Sequence, residues 1–223
     1  MTPAVVLNCG SSMVRRNIPK GQAPVLGNLV AQAALIKAAA ALLVEEAGSE
    51  IAARSRLAAT IRGLESSGDC LVRENAAILS RFSVSAFSCL YEPEHLRILS
   101  SHLDSILDAI EEAAFRLNAY KSGWLVMGIP ESCTCLRACS EAIYRAVDDM
   151  SHRGEPSSAC AEIPAHANRA NELLREAVRN LFSSDAEAIA VFTNKEICTT
   201  LDQAVAFCKS TVKQLHMMES SCA

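Results

Sequence analysis

Two pairs of acids with four-residue spacing lie in the first half of the chain. Glu65 and Asp69 sit in Leu64-Glu-Ser-Ser-Gly-Asp69, and Asp104 and Asp108 sit in Leu103-Asp-Ser-Ile-Leu-Asp108. On a helix, residues four apart share a face, one turn above another. Each pair therefore presents two carboxylates on one side of its helix. If the two helices are antiparallel neighbours, four carboxylates converge. Like charges held together repel unless something neutralises them. A hard cation with several oxygen ligands, such as Fe, Mg, Mn or Ca, would do so. On spacing alone, two solvated acidic faces remain the alternative.

Other constellations carry less. Cys135 and Cys139 are four apart on one predicted helix face, with Cys133 nearby, so two thiolates could meet a soft metal. No Cys-x-x-Cys pair or nearby histidine completes a tetrahedral set. Glu92-Pro-Glu-His95 has the Glu-x-x-His spacing of di-iron bundle enzymes, but it has no second copy. It reads as capping and dipole chemistry at a helix start. No nucleophile elbow or Gly-rich phosphate loop is present. His102, His166 and His216 are expected at the surface or in polar contacts, and Trp124 is expected to anchor the junction between halves.

The elements that must position these groups read as six helices. The stretches are about Pro24–Ala47, Glu50–Arg81, Glu92–Tyr120, Cys133–Ser151, Glu162–Phe182 and Ala186–Met218, with a fraying tail at Glu219–Ala223. In the second, Ile51, Leu57, Ile61, Leu64, Leu71 and Ile78 fall near a 3.6-residue period. Proline in the first turn marks the third and fifth, and Asp or Ser of Ser183-Ser-Asp185 is placed to cap the sixth. Phe82–Tyr91, Lys121–Ser132 and His152–Ser158 read as connections. Long helices joined by short loops predict antiparallel neighbours in a bundle. The chain thus divides into an irregular, mildly basic N-terminal arm (1–22), a first three-helix bundle (23–121) and a second (132–218), together one compact all-α unit.

The two halves resemble each other. Asp69-Cys-Leu-Val-Arg-Glu74 of the second helix matches Asn171-Glu-Leu-Leu-Arg-Glu176 of the fifth. Leu99-Ser-Ser-His-Leu-Asp104 of the third matches Ile197-Cys-Thr-Thr-Leu-Asp202 of the sixth. Two matches in the same order, on helices of similar length, indicate an internal repeat.

Composition agrees. Half of the 223 residues are hydrophobic but only 4% are aromatic, and glycine (9) and proline (7) are sparse, which favours long, closely packed helices over sheets. The formal charge of −4 and the absence of a Lys/Arg-rich run argue against nucleic acid as a partner. Ala4–Leu7 is too short for the core of a secretory signal. The ten cysteines are therefore expected in a reducing compartment, mostly as small buried hydrophobes. Ala23–Val44 is long and apolar, but Lys37 near its middle favours a bundle helix over a membrane span.

With these residues in place, the sequence resembles the PhoU-like family, especially its branch of phosphate-transport regulators, the accessory proteins of Pit-type phosphate transporters. The likeness runs from Leu64-Glu-Ser-Ser-Gly-Asp69, similar to the family's Glu-x-x-Gly-Asp, through Leu79-Ser-Arg-Phe82, Leu103-Asp-Ser-Ile-Leu-Asp-Ala-Ile-Glu111 and Arg116-Leu-Asn-Ala-Tyr120. In the second half it includes Arg175-Glu-Ala-Val-Arg-Asn-Leu-Phe182 and Lys195-Glu-Ile197. It covers roughly residues 24–217. The resemblance implies a tandem of three-helix bundles carrying Glu/Asp-x-x-x-Asp motifs for an iron, zinc or other divalent-cation cluster. Carried over by position, the ligands are Glu65, Asp69, Asp104 and Asp108. The second half departs: Ala167 and Asn171 stand on the fifth helix, and Asp202 and Ala206 on the sixth, so its cluster is expected to be lost or much weakened.

The resemblance further implies a non-enzymatic regulator or accessory protein of inorganic phosphate transport. It would act in the cytoplasm, at the membrane face, on a phosphate transporter or its signalling partner, and it leaves homo-oligomer formation open. A metal-free helical scaffold on the same fold is the alternative. A carboxylate-bridged metal enzyme is a further one, but the histidines it needs beside the acids are missing at the expected spacing.

Overall fold

The computed structural model describes residues 21–81, 90–121, 124–153 and 158–221. Six α-helices account for nearly all of them: α1 Ala23–Gly48, α2 Ile51–Leu79, α3 Pro93–Ala119, α4 Ile129–Arg153, α5 Ile163–Ser183 and α6 Ala188–Ser221, with a short 3₁₀ turn at Ser158–Ala161 before α5. The expected arm and most of the Phe82–Tyr91 connection lie outside the described residues, as do 122–123, 154–157 and 222–223.

Three helix ends differ from the sequence reading. α4 begins at Ile129, four residues before the expected Cys133. Pro130, read as part of a loop, lies in the first turn, where its missing N–H costs nothing. Gly128 precedes it with φ of +108°, a conformation that only glycine adopts freely. α6 begins at Ala188, past the expected cap. Ser184 Oγ instead accepts from the Ala186 N–H at 3.4 Å, outside the helix. The expected fraying tail is helical through Ser221.

Burial follows from which helices have one neighbouring pair and which have more. α2 packs on α1 and α3, and α5 on α4 and α6. Each of these outer helices therefore needs a single apolar stripe: Ile163, Ala167, Ala170, Leu174, Ala177 and Leu181 on α5 alternate in steps of four and three. Ile51, expected on the stripe of α2, is 39% exposed because it opens the helix at its end. α1 and α3 also pack across the junction, α1 on α4 and α3 on α6, so they bury wider faces. α1 buries Val25, Leu26, Leu29, Ile36 and Leu43 in this way. It is the one described helix long and apolar enough to cross a membrane. Its Lys37 ammonium lies 5.0 Å from the centre of the Tyr144 ring on α4, a cation–π contact across the junction.

The repeat is visible in the packing. In the register of the sequence matches, Ile61, Gly68, Asn75 and Leu79 of α2 correspond to Ile163, Ala170, Ala177 and Leu181 of α5, and all eight are buried. On α3, buried Leu99, Leu103, Leu107, Ile110 and Leu117 correspond to Ile197, Leu201, Val205, Cys208 and Leu215 of α6, also buried. Each inner helix packs on its own counterpart in the other half.

Polar contacts fix the helices against each other. Inside the first half, Asn75 Nδ2 donates to Gln32 Oε1 (3.2 Å) and Ser100 Oγ (3.1 Å), and Ser100 Oγ donates to Gln32 Oε1 (2.9 Å). This closed triad ties α2 to α1 and α3. Arg116 of α3 donates to Glu112 on its own helix (2.6 Å) and, across the junction, to Glu196 Oε2 of α6 (3.0 Å). Asn194 Oδ1 of α6 accepts from the Val126 N–H (2.9 Å), and its Nδ2 donates to the Trp124 carbonyl (3.3 Å). Trp124 thus serves the junction through its main chain, and its residue is 48% exposed.

Candidate functional site

The four acids of the first half meet along the α2–α3 groove. Glu65 and Asp69 are half-buried on α2, Asp104 is half-buried on α3, and Asp108 is exposed one turn further on. Their fields overlap. Burial, then the Asp69 and Glu65 charges, push the Asp104 carboxyl up from its ordinary range. Asp108 is pushed up to about 6, first by desolvation and then by Asp104, Glu65, Asp69 and Glu111. Glu111 is an acid that the four-residue spacing missed. Its signal was present in the sequence, three residues beyond Asp108 on the same helix.

What brings the carboxylates together is a close approach of the helices. A Cβ placed on Gly68 would lie 2.7 Å from Leu107 Cδ2. Gly68 directly precedes Asp69, and Leu107 directly precedes Asp108. The packed pair thus sets both the spacing and the register of the acids. Cations border the groove: Arg73 lies 3.7 Å from Asp69, and Arg62 donates to Glu111 at 3.0 Å.

All the donors are carboxylate oxygens, a set that suits a hard divalent cation. Among the described residues, no three acidic, histidine or cysteine side chains converge on one point in a ligating arrangement. The carboxylates share a field, and a shared cation would require their side chains to turn inward.

The equivalent groove of the second half is different. It is an open cavity of about 540 Å³ between α5 and α6, lined by Asn171, Arg175, Val178, Arg179, Thr199 and Asp202, among others. Ala167 is fully buried and Ala206 exposed, so neither offers an oxygen ligand there. With the Asn171 amide nitrogen facing the Ala167 carbonyl (3.1 Å), its oxygen accepts from Lys209 Nζ (2.9 Å).

The remaining candidates resolve as follows. Cys133 and Cys139 are buried, and Cys135 is half-buried. Cys139 Sγ faces the Ile163 carbonyl (3.8 Å) and Cys208, and among the described residues no third ligating side chain joins it and Cys135. Burial pushes the Cys133 thiol up to about 12, aided by the Glu46 charge. At the start of α3, Pro93 and Glu94 lie in the first turn, and Glu94 pairs with Arg97. The dipole reading thus has its acid, but the Glu92 side chain makes no capping bond. His102 is half-buried, with burial holding its ring below the ordinary pKa and its Nδ1 lacking a hydrogen-bond partner. His166 is half-buried and His216 exposed.

Sequence reasoning missed Glu46. It is fully buried on α1, neither carboxylate oxygen has a hydrogen-bond partner, and desolvation pushes it up to about 8 against the opposing pull of Arg54. Nothing in its neighbourhood of Val-Glu-Glu-Ala distinguishes it from Glu45 beside it, which faces solvent.

No protein-family profile matches the chain. It is 23% identical over 158 residues to the UPF0111 protein YkaA of Bacillus subtilis (strain 168), a match covering 70% of this chain and 75% of the relative. Among solved structures, a PhoU-like protein from Shewanella oneidensis MR-1 superposes with a TM-score of 0.70 over 88% of this chain and 99% of its own, at 15% identity. A second structure from that organism, described as a PhoU-like phosphate regulatory protein, gives 0.69 with the same coverage and identity. PhoU from Pseudomonas aeruginosa gives 0.72 over 88% of this chain and 96% of its own, again at 15% identity. An all-α chain of six helices, paired half against half and superposing on these structures over nearly their whole length, has the PhoU-like fold.

Proposed function

We propose that this protein is a non-enzymatic regulator or accessory protein of inorganic phosphate transport, and that Glu65, Asp69, Asp104 and Asp108 bind a divalent cation. The observation that carries the reading is the α2–α3 groove, where acids from two helices share one field on a PhoU-like fold and two of them are pushed upward, first by burial and then by the neighbouring acid charges. A cation would relieve that repulsion; an all-carboxylate oxygen set suits Mg or Mn, and the family resemblance adds iron and zinc to the cations to test. The groove would then act as a structural or sensing site and hold α2 against α3.

The partner is a phosphate transporter or its signalling partner, met at the cytoplasmic face of the membrane. Large apolar side chains left in solvent supply a surface for it: Met127 (74% exposed), Phe182 (72%), Ile189 (65%) and Phe192 (57%). They lie on the end of α5, the start of α6 and the connection that Asn194 holds to it.

The test has two arms. Elemental analysis of untagged protein, wild type and Asp104→Ala/Asp108→Ala, should find stoichiometric metal that the double variant loses with its helicity intact. Phosphate uptake by cells lacking the protein should be restored by wild type and not by the variant. No metal in wild type after reconstitution with Mg, Mn, iron or zinc would overturn the site and leave a metal-free scaffold. Uptake unaffected by deletion would overturn the transport role.

A further inference from the structure

The two halves carry equivalent grooves with opposite charge. In the register of the repeat, Glu65, Asp69, Asp108 and Glu111 of the first groove are replaced by Ala167, Asn171, Ala206 and Lys209 in the second, and Ala77 by Arg179. Asp104 is kept as Asp202, and Arg73 as Arg175. The first groove is therefore strongly acidic. The second carries Arg175, Arg179 and Lys209 against Asp202.

The exchange at one position has a direct consequence. In the first half Asp69 engages Arg73 at 3.7 Å. In the second half Asn171 stands in its place and accepts from Lys209, so Arg175 loses its carboxylate. Among the described residues, neither the Arg175 nor the Arg179 guanidinium has an ion pair or hydrogen bond. They are four residues apart on α5 and both line the cavity. Like charges at that spacing repel, and an anion between them would remove the repulsion.

We propose that the α5–α6 groove binds a phosphoryl group. The planar guanidinium fork matches phosphate oxygens in a bidentate way, and two forks one turn apart can hold one dianion from both sides. Asn171 lines the same cavity and keeps one amide hydrogen to give, and Thr199 can join it by turning its hydroxyl away from the Lys195 carbonyl (3.0 Å). A cavity of about 540 Å³ has room for more than the ion, and Leu174 and Val178 give it an apolar wall. The group can therefore arrive as free phosphate or on a small phosphate ester. The assignment stands on the second groove alone and does not depend on a cation in the first.

Isothermal titration of metal-stripped protein with inorganic phosphate, with a nucleoside monophosphate and with sulfate tests it. Saturable binding of one phosphoryl ligand per chain is expected, weakened at least about tenfold in Arg175→Ala/Arg179→Ala, whose exposed side chains leave the fold intact by circular dichroism. Asn171→Asp should weaken it as well, because an acid there recaptures Arg175 as Asp69 does Arg73. Binding of the ester alone, or of phosphate alone, identifies the source. Absence of saturable binding for both at millimolar concentration, or equal affinity in the double arginine variant, would refute the assignment.

Discussion

Replacing Gly68 with alanine tests whether the α2–α3 approach is set where the geometry places it. The new Cβ would meet Leu107 Cδ2 at 2.7 Å, with Leu35 Cδ1 at 4.0 Å on the other side. Carbons in ordinary contact sit about 3.5–4.0 Å apart, so the pair must separate by roughly an ångström. The methyl it meets is the end of a side chain, but Leu107 is only 2% exposed and has little room to swing. Overpacking of that kind costs about 1–3 kcal/mol. Against it stands the helix preference for alanine over glycine, worth about 1 kcal/mol. Gly68→Ala alone should therefore destabilise by about 0–2 kcal/mol.

Leu107→Val alone removes one buried methylene and should cost about 0.5–1.5 kcal/mol. The double variant recreates the pair that the second half already uses, Ala170 with Val205, both fully buried. One carbon is added on α2 and one removed on α3, so total volume is conserved. It should lie close to wild type, with a coupling between the two changes of about 1–3 kcal/mol. Urea unfolding followed by far-UV circular dichroism measures it, read from midpoints at constant slope. Additivity within about 0.5 kcal/mol would show that Gly68 and Leu107 do not share the space inferred here.

Three further outcomes follow from the same geometry. Glu46 titrates near 8 when folded and at its ordinary 4.5 when unfolded. The folded state therefore binds the extra proton between those values, and stability should fall as pH rises through that window. Glu46→Gln should flatten this slope and raise the urea midpoint at pH 8; an unchanged slope would show that the carboxylate ionises freely. Asp108 titrates near 6 in part through the Asp104 charge. Carboxyl NMR of metal-free Asp104→Asn should show it lower, and the stability that wild type loses as pH rises from 3.8 through about 6 should be partly restored. Asn75→Ala removes the donor that links Gln32 and Ser100 and leaves their buried oxygens short of a partner, so thermal or urea unfolding should show a loss of about 1–3 kcal/mol.

The helices and their order were legible in the residues because an amphipathic period is a local property. The stripe Ile163, Ala167, Ala170, Leu174, Ala177, Leu181 declares both a helix and the face it must bury. The two acid pairs were legible for the same reason, since four-residue spacing alone places Glu65 by Asp69 and Asp104 by Asp108. The start of α4 was not, because Pro130 and Gly128 read alike as loop signals until the chain around them shows which one turns and which one caps.

What only the tertiary structure decided depends on contacts between residues far apart in sequence. That the acids of α2 and α3 share one field rests on Gly68 against Leu107. That Glu46 is buried without a hydrogen-bond partner while Glu45 faces water rests on how α1 lies against its neighbours. That Arg175 has no ion pair among the described residues, while its counterpart Arg73 has one, depends on which side chains α6 brings against α5. A one-dimensional pattern records which face a residue takes; in these two grooves the residue types make one acidic and the other basic, and packing decides which of those charges meet a partner.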